Sequence, residues 1–201
     1  MNTMIVRTGA GNLFSLVAAL ERIGVRAGIA DSPEQLVKAD RVILPGVGEA
    51  RSAMDFLAER RLDDVIKHFT IPVLGICLGM QMLCRRTEER NTPGMGVFDL
   101  AVQRFRGRGK VPHTGWNRVK EIHGPLFHGL EEGAWFYFVH SYYAGLSAWT
   151  TATCEHMGTF SAALERNNFY GVQFHPEKSG AVGQRLLENF CNLSGETHVK
   201  K

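Results

Sequence analysis

The chain has 201 residues, 44% of them hydrophobic and 21% charged, and its formal net charge at neutral pH is +3. This composition is typical of a globular protein with a full core. The net charge is too small to imply nucleic acid as a partner, and no apolar run is long enough to span a membrane. We therefore expect one domain over residues 1–201 that binds neither nucleic acid nor membrane.

Short apolar runs predict the strands in the first half of the chain. They lie at 4–7, 27–30, 41–44 and 71–74, and helical patterns separate them. This alternation predicts an α/β fold in which a mostly parallel central sheet is flanked by helices on both faces.

Two helix signals support this order. Apolar residues recur at helical spacing at Leu13, Leu16, Val17, Leu20 and Ile23. Ser32-Pro33-Glu34-Gln35 predicts the next helix start, since it combines a cap, a proline at the first helical position and a capping-box glutamine. Between the first strand and the first helix, Gly9-Ala10-Gly11 lacks the third glycine of a dinucleotide fingerprint, because Phe14 stands in its place. We therefore expect no cofactor.

The segment Pro45-Gly46-Val47-Gly48 follows the third predicted strand. Its two glycines allow the main chain to approach a ligand closely. The pattern is common in turns, but here it lies at the C-terminal end of a parallel strand, where open α/β sheets bind ligands. We predict that the N–H of Val47 or Gly48 is a donor of an oxyanion hole.

The segment Gly75-Ile76-Cys77-Leu78-Gly79 follows the fourth strand and precedes a helical pattern. It is the thiol version of a nucleophile elbow, in which small neighbours allow a strained turn. The unpaired N–H groups and the positive dipole at the helix N-terminus favour the reactive thiolate of Cys77. The N–H of Leu78 is the expected first oxyanion donor.

A base and an orienting carboxylate lie much later in the chain. An apolar run at 169–174 predicts a strand that leads to His175, and Pro176 favours an extended conformation there. Residues two apart in an extended chain point the same way, so Glu177 orients one ring nitrogen of His175 while the other faces Cys77. This is the pattern of a Cys-His-Glu triad. Its order along the chain argues against a serine α/β-hydrolase.

The pattern changes over about 97–165, where short strands and turns, including a strand at 134–139, predict an antiparallel extension or a second small sheet. The basic stretch 104–110 is interpreted as a solvated loop, with a phosphate contact or a partner surface as the alternative. A helix near 182–193 has one apolar face, and residues 194–201 are interpreted as a loose polar tail.

We expect no catalytic role for the remaining cysteines or for five of the histidines. We expect buried small residues at Cys84, Cys154 and Cys191. We expect polar surface residues at His68, His123, His128, His156 and His198. The four cysteines lack a framework spacing, which favours reduced thiols and a cytoplasmic location.

Several of these segments together resemble the class I, triad-type, glutamine amidotransferases. They are 45–48, 75–81, 113–117, 138–142 and 170–180. The elbow and the His-Pro-Glu segment identify the family. The segment 113–117, together with Gly11-Asn12-Leu13, is similar to glutaminase subunits that serve a cyclase of histidine biosynthesis. The resemblance implies the flavodoxin-like sheet of that family.

The resemblance also implies a reaction and a partner. Cys77, His175 and Glu177 would hydrolyse glutamine through a glutamyl thioester, without metal or cofactor. The residues expected against the substrate are Gly46, Gly48, Gln81, Ser141 and Tyr142. The implied partner is a separate (βα)₈-barrel cyclase, bound as a heterodimer, that receives ammonia through an internal passage, with Lys178 at the interface.

Three other interpretations stay open at this point. The acceptor of the ammonia could be another synthase. A cysteine hydrolase or a redox-stress protein can carry a similar elbow, although Gln81 and the His-Pro-Glu order argue against this. A non-catalytic regulatory subunit is the third, and the intact triad argues against it.

Overall fold

The computed structural model describes residues 1–9 and 13–193. Within them the strands are β1 Thr3–Val6, β2 Ala27–Ala30, β3 Arg41–Leu44, β4 Val73–Ile76, β5 Cys84–Thr87, β6 Thr92–Pro93, β7 Phe98–Arg104, β8 His113–Lys120, β9 Trp135–His140, β10 Tyr142–Ala144, β11 Thr150–Glu155, β12 Thr159–Arg166 and β13 Phe169–Val172. The α-helices are α1 Phe14–Arg22, α2 Pro33–Leu36, α3 Ala50–Glu59, α4 Leu62–Lys67, α5 Leu78–Leu83 and α6 Gly180–Asn192. Short 3₁₀ turns lie at Glu89–Asn91, Pro125–Phe127 and Pro176–Lys178.

The main sheet has a parallel half and an antiparallel half. Its order is β2-β1-β3-β4-β13-β12-β11-β8-β9. The first five strands are parallel to their neighbours and follow the flavodoxin-like order. The pairs from β13 to β9 are antiparallel. The predicted α/β fold with an antiparallel extension is therefore confirmed, and a second sheet, β10-β7-β5-β6, is also present.

Helices cover both faces of the parallel half. Alternate residues of a strand point to opposite faces, so Ile5 and Ile43 share one core with α1 and α6. Val42 and Leu44 belong to a second core with α3 and α4. Because the parallel strands are buried on both sides, their sequences read as continuous apolar runs.

The predicted capping box at α2 does not form. The helix begins at Pro33 as expected, but the Ser32 side chain makes no capping hydrogen bond. The Gln35 Oε1 accepts from the N–H of Asp31 at 2.8 Å instead of reaching Ser32. Because α2 is a single turn, its glutamine side chain reaches back to the residue that precedes the cap.

The basic stretch 104–110 is only partly the predicted solvated loop. Arg106 is exposed and pairs with Glu88 at 3.0 Å. Phe105, in contrast, is buried and stacks on Tyr143 with 4.4 Å between ring centroids. An aromatic ring between two arginines anchors the start of this segment in the core.

Some predicted features lie outside the described residues. These are the polar tail at 194–201 with His198, and positions 10–12, which include most of Gly9-Ala10-Gly11 and of Gly11-Asn12-Leu13. In the described part of the chain, no helix combines the length and apolar character needed to cross a bilayer.

Candidate active site

The elbow forms where β4 leads into α5. Cys77, between them, has φ 47° and ψ −103°, a backbone conformation that is strained for a residue with a side chain. A Cβ on Gly79 would lie 2.2 Å from the carbonyl oxygen of Leu44, and one on Gly75 would lie 2.6 Å from the main chain of Gly79. Both glycines are therefore required because α5 starts in direct contact with the sheet.

The loop after β3 lies directly beside Cys77. A Cβ on Gly46 would be 2.6 Å from the carbonyl oxygen of Ile76 and 2.8 Å from the Cβ of Cys77. Gly48 has φ +107°, which favours glycine. The predicted oxyanion donors come next in the chain: Val47 follows Gly46, and Leu78 follows Cys77. Their role as donors stays a prediction.

His175 follows β13 and is oriented by Glu177. Its Nδ1 lies 2.7 Å from the Glu177 Oε1; the His175 side chain is buried, and 9% of the Glu177 side chain is exposed. Burial opposes protonation of the ring, but the interactions with Cys77 and Glu177 outweigh it and raise the pKa of His175 to about 10. The arrangement favours the imidazolium form of His175 beside Cys77.

Strand β9 holds the main chain of His175 in place. The His175 N–H donates to the carbonyl of Tyr137 at 2.9 Å. The Ser179 hydroxyl donates to the carbonyl of His175 at 2.6 Å and accepts from the N–H of Tyr137 at 3.0 Å. The main chain of His175 is thus fixed by the antiparallel half of the sheet.

The structure brings two predicted substrate residues together and adds Gln173, which sequence reasoning missed. Gln81 donates to the carbonyl of Tyr142 at 3.0 Å and to the Gln173 Oε1 at 3.1 Å. The Gln173 Nε2 donates to the Cys77 Sγ at 3.5 Å. A signal was available, because Gln173 interrupts an apolar strand two residues before His175. Ser141 directly precedes Tyr142, and substrate binding by these residues and by Gly46 and Gly48 stays a prediction.

His156 differs from its prediction as a surface residue. It is half-buried, and its ring stacks on that of His113 with 4.2 Å between centroids. His68, His123 and His128 are exposed, as expected. His156 is half-buried because the loop after β11 folds back over the aromatic core beside β8.

The remaining cysteines are buried, as predicted. Burial raises the pKa of Cys84 and of Cys154 to about 12, and it also raises the pKa of Cys191. These thiols therefore stay protonated and unreactive. Cys77 is the cysteine that lies beside a base.

An exposed face of β8 and β9 lies next to the triad. Lys178 is exposed, and its ammonium lies 6.0 Å from the ring centroid of Tyr137. Trp116 packs edge-on against the same ring, while Trp116 and Trp135 remain about half exposed. A cavity of about 130 Å³ lies between Lys178 and the loop that follows β3. Its lining includes Gly46, Val47, Glu177 and Lys178.

Cys77 and the His175–Glu177 pair thus lie together beyond the adjacent parallel strands β4 and β13. The model of the family "Glutamine amidotransferase class-I" matches residues 5–193, and the chain belongs to this family.

Among curated relatives, the chain is similar to the imidazole glycerol phosphate synthase subunit HisH of Escherichia coli strain K12. The two are 49% identical over 96% of this chain and 100% of the relative. The HisH subunit of Bacteroides fragilis strain YCH46 is 47% identical with the same coverage. The solved structure of PurLQS from Thermotoga maritima shares the fold, with a TM-score of 0.74 and 18% identity over 95% of this chain and 97% of the matched chain.

Proposed function

We propose that this chain is the glutaminase subunit of imidazole glycerol phosphate synthase, in histidine biosynthesis. The observation that carries the proposal is Cys77 on a strained elbow beside the buried His175–Glu177 pair. The 49% identity to HisH over the full length of that relative supports the particular synthase.

In the first half of the reaction, the Cys77 thiolate attacks the side-chain carboxamide carbon of glutamine. The negative charge moves to the carboxamide oxygen, where N–H groups near Val47 and Leu78 stabilise it. One such donor typically contributes about 10²–10³ in rate. The His175 imidazolium gives its proton to the departing nitrogen, the C–N bond breaks, and ammonia leaves a glutamyl thioester on Cys77.

In the second half, His175 is neutral and acts as the base. It takes a proton from water as the oxygen attacks the thioester carbon. The C–S bond then breaks, which releases glutamate and restores the thiolate beside the imidazolium. Glu177 keeps one tautomer of the ring and stabilises its charged form in both halves.

The ammonia goes to a separate cyclase subunit with a (βα)₈ barrel, bound as a heterodimer. Protonation in water would inactivate free ammonia, so a direct passage to the partner preserves it. The exposed Trp116, Trp135 and Lys178 beside the triad are suited to such an interface, because aromatic side chains are enriched in interface cores. Four buried free thiols fit the reducing cytoplasm.

The loop at 46–48 is a suitable gate for this reaction. Its main chain contacts Cys77, and its Gly48 allows a change of backbone conformation. We expect the productive form of the loop to require a loaded cyclase.

The test measures glutamate release from glutamine by the chain alone and with the cyclase plus its phosphoribosyl-nucleotide substrate. We expect low activity alone and strong activation in the mixture. Full activity without the partner would contradict gating, and activity that ignores this partner would point to another synthase.

A Cys77→Ala variant should lose glutamine hydrolysis while it still folds and binds the cyclase. Cys84→Ala, which removes a buried thiol at the end of the same helix, is the matched control and should retain activity. Hydrolysis by Cys77→Ala would exclude the proposed nucleophile.

A further inference from the structure

Two buried histidines that the proposed mechanism does not use face each other in the antiparallel half of the sheet. His113 on β8 and His140 on β9 are directly opposite in the strand ladder, with 5% and 6% of their surfaces exposed. The His113 Nδ1 lies 3.0 Å from the His140 Nε2. The pair is therefore hydrogen-bonded, and one ring must donate to the other.

Asn117 determines the direction of this bond from one end. Its Oδ1 accepts from the N–H of Arg118 at 2.8 Å, and its Nδ2 donates to the carbonyl of Glu155 at 2.9 Å, which sets the orientation of the amide. The same Nδ2 lies 3.1 Å from the His113 Nε2. An amide nitrogen only donates, so this Nε2 accepts, and the proton of the neutral ring is on Nδ1.

The carbonyl of Tyr142 determines the direction independently from the other end. It lies 2.7 Å from the His140 Nδ1. A carbonyl only accepts, so His140 also carries its proton on Nδ1, and its Nε2 accepts from His113. Asn117 and the Tyr142 carbonyl, at the two ends of this series of hydrogen bonds, therefore require the same two tautomers.

The chain of hydrogen bonds continues to the nucleophile. The Tyr142 carbonyl also accepts from Gln81, which donates in addition to Gln173, and Gln173 donates to the Cys77 Sγ. The histidine pair is thus connected to the thiol through two amide side chains and one carbonyl.

We propose that His113 and His140 are positioning residues: as two neutral Nδ1–H imidazoles they hold the Tyr142 main chain and Gln81 in place for glutamine binding at Cys77. The catalytic part of this proposal rests on the proposed function, whereas the tautomers do not. A second proton on His113 would point its Nε2–H at the Asn117 amide. A second proton on His140 would point its Nε2–H at the His113 Nδ1–H. Either protonation would break the chain of hydrogen bonds.

The surroundings keep both rings neutral. Burial lowers the pKa of His113 to about 4, with a further decrease from nearby His156. Burial also lowers the pKa of His140 to about 3; its bond to Tyr142 opposes this, and the charges of His113, His156 and His175 add to the decrease. Aromatic rings pack around the pair, namely Phe105, Phe138 and Phe160. Since a depressed histidine pKa disfavours the charged form, the pair stays uncharged through the neutral range.

The first experiment reads the tautomers in the native full-length chain. Long-range ¹H–¹⁵N NMR correlation on histidine-labelled protein, from about pH 6 to about pH 8, spans the ordinary histidine pKa. We expect two rings with a protonated Nδ1 and an unprotonated Nε2 that do not titrate, assigned by loss of their signals in His113→Gln and His140→Gln. An Nε2–H tautomer, or titration of either ring in this range, overturns the proposal without bearing on the glutaminase assignment.

The second experiment compares two amides at position 140, assayed with the loaded cyclase. His140→Asn places a donor near the former Nδ1, whereas His140→Gln places its amide near the former Nε2 and loses the donor to Tyr142. We expect His140→Gln to raise the KM for glutamine about tenfold, the scale of one lost buried hydrogen bond, with a smaller change in kcat. His140→Asn should restore a KM close to the native value.

The matched control is His156→Phe, which keeps the ring stacked on His113 but lies outside the chain of hydrogen bonds. It should retain the native KM. Equal KM values for the two His140 variants would overturn the positioning role. If the native complex does not hydrolyse glutamine at all, the proposed function fails, and the NMR result still decides the tautomers.

Discussion

The two halves of the main sheet hold their functional groups in different ways. In the parallel half, Cys77 and His175 lie on turns just beyond the ends of β4 and β13. In the antiparallel half, His113 is the first residue of β8 and His140 is the last residue of β9, and the two are paired in the strand ladder. A turn can aim a side chain at a substrate but needs close packing to hold its strain, whereas a strand ladder holds side chains rigidly and buries them. The proposed reactive groups therefore lie in the first half, and the histidine pair that is proposed to support them lies in the second.

Among changes to the two halves, we expect the largest effect from Glu177→Gln in the parallel half. This substitution keeps the shape of the side chain but removes its charge. General acid–base catalysis contributes about 10²–10⁴ in rate, and we expect a loss of kcat on that scale. Removing a carboxylate disfavours the imidazolium, so the pKa of His175 should fall below its native value of about 10. An NMR titration of His175 measures this.

The exposed Glu59→Gln is the control for that titration and should change neither quantity. A His175 pKa that is the same in Glu177→Gln as in the native chain would contradict the orienting role.

Gly79→Ala tests how the elbow is held. The added Cβ would lie 2.2 Å from a main-chain oxygen of Leu44, which cannot move without disturbing the sheet. We expect a decrease in the free energy of unfolding of about 3 kcal/mol, the scale of severe overpacking, measured by urea denaturation. Gly145→Ala, where a Cβ would meet no atom within 4 Å, is the matched control. Equal stability of the two variants would show that α5 is not tightly packed on β3.

The elbow was predictable from the sequence because its residues are close together in the chain. Gly75 and Gly79 flank Cys77 within one turn, and Gly75 is required by the main chain of the same strand-to-helix connection, whereas Gly79 is required by the neighbouring strand β3. His175 and Glu177 were likewise predictable, since an extended chain places residues two apart on one side. The parallel direction of β1 to β4 followed from the alternation of strand and helix patterns, although their order in the sheet did not.

The supporting groups were not predictable, because they depend on which strands pair. His113 and His140 meet only because β8 pairs with β9 in one register. Gln173 reaches Cys77 only because β13 lies next to β4. His156 was assigned to the surface because nothing local indicates that its loop folds over His113. Such contacts between distant segments are absent from any short sequence pattern.

Ser179→Ala tests the contact between the two halves and should have the smallest effect. Its buried hydroxyl bonds both to Tyr137 on β9 and to the main chain of His175. Its loss leaves an N–H and a carbonyl without this partner, for which we expect a loss of about 2 kcal/mol in the free energy of unfolding. Because His175 is no longer held from this side, kcat should also decrease.

Ser161→Ala separates these two consequences of losing a buried hydroxyl. Ser161 is also fully buried, and its hydroxyl bonds to Thr150 and to the carbonyl of Gly145, away from the triad. We expect a similar loss of stability in urea but a native kcat in the complex. Similar kcat values in the two serine variants would mean that the antiparallel half stabilises the fold without positioning the base. A kcat that is lower only in Ser179→Ala would show that the antiparallel half positions His175 through the Ser179 hydroxyl.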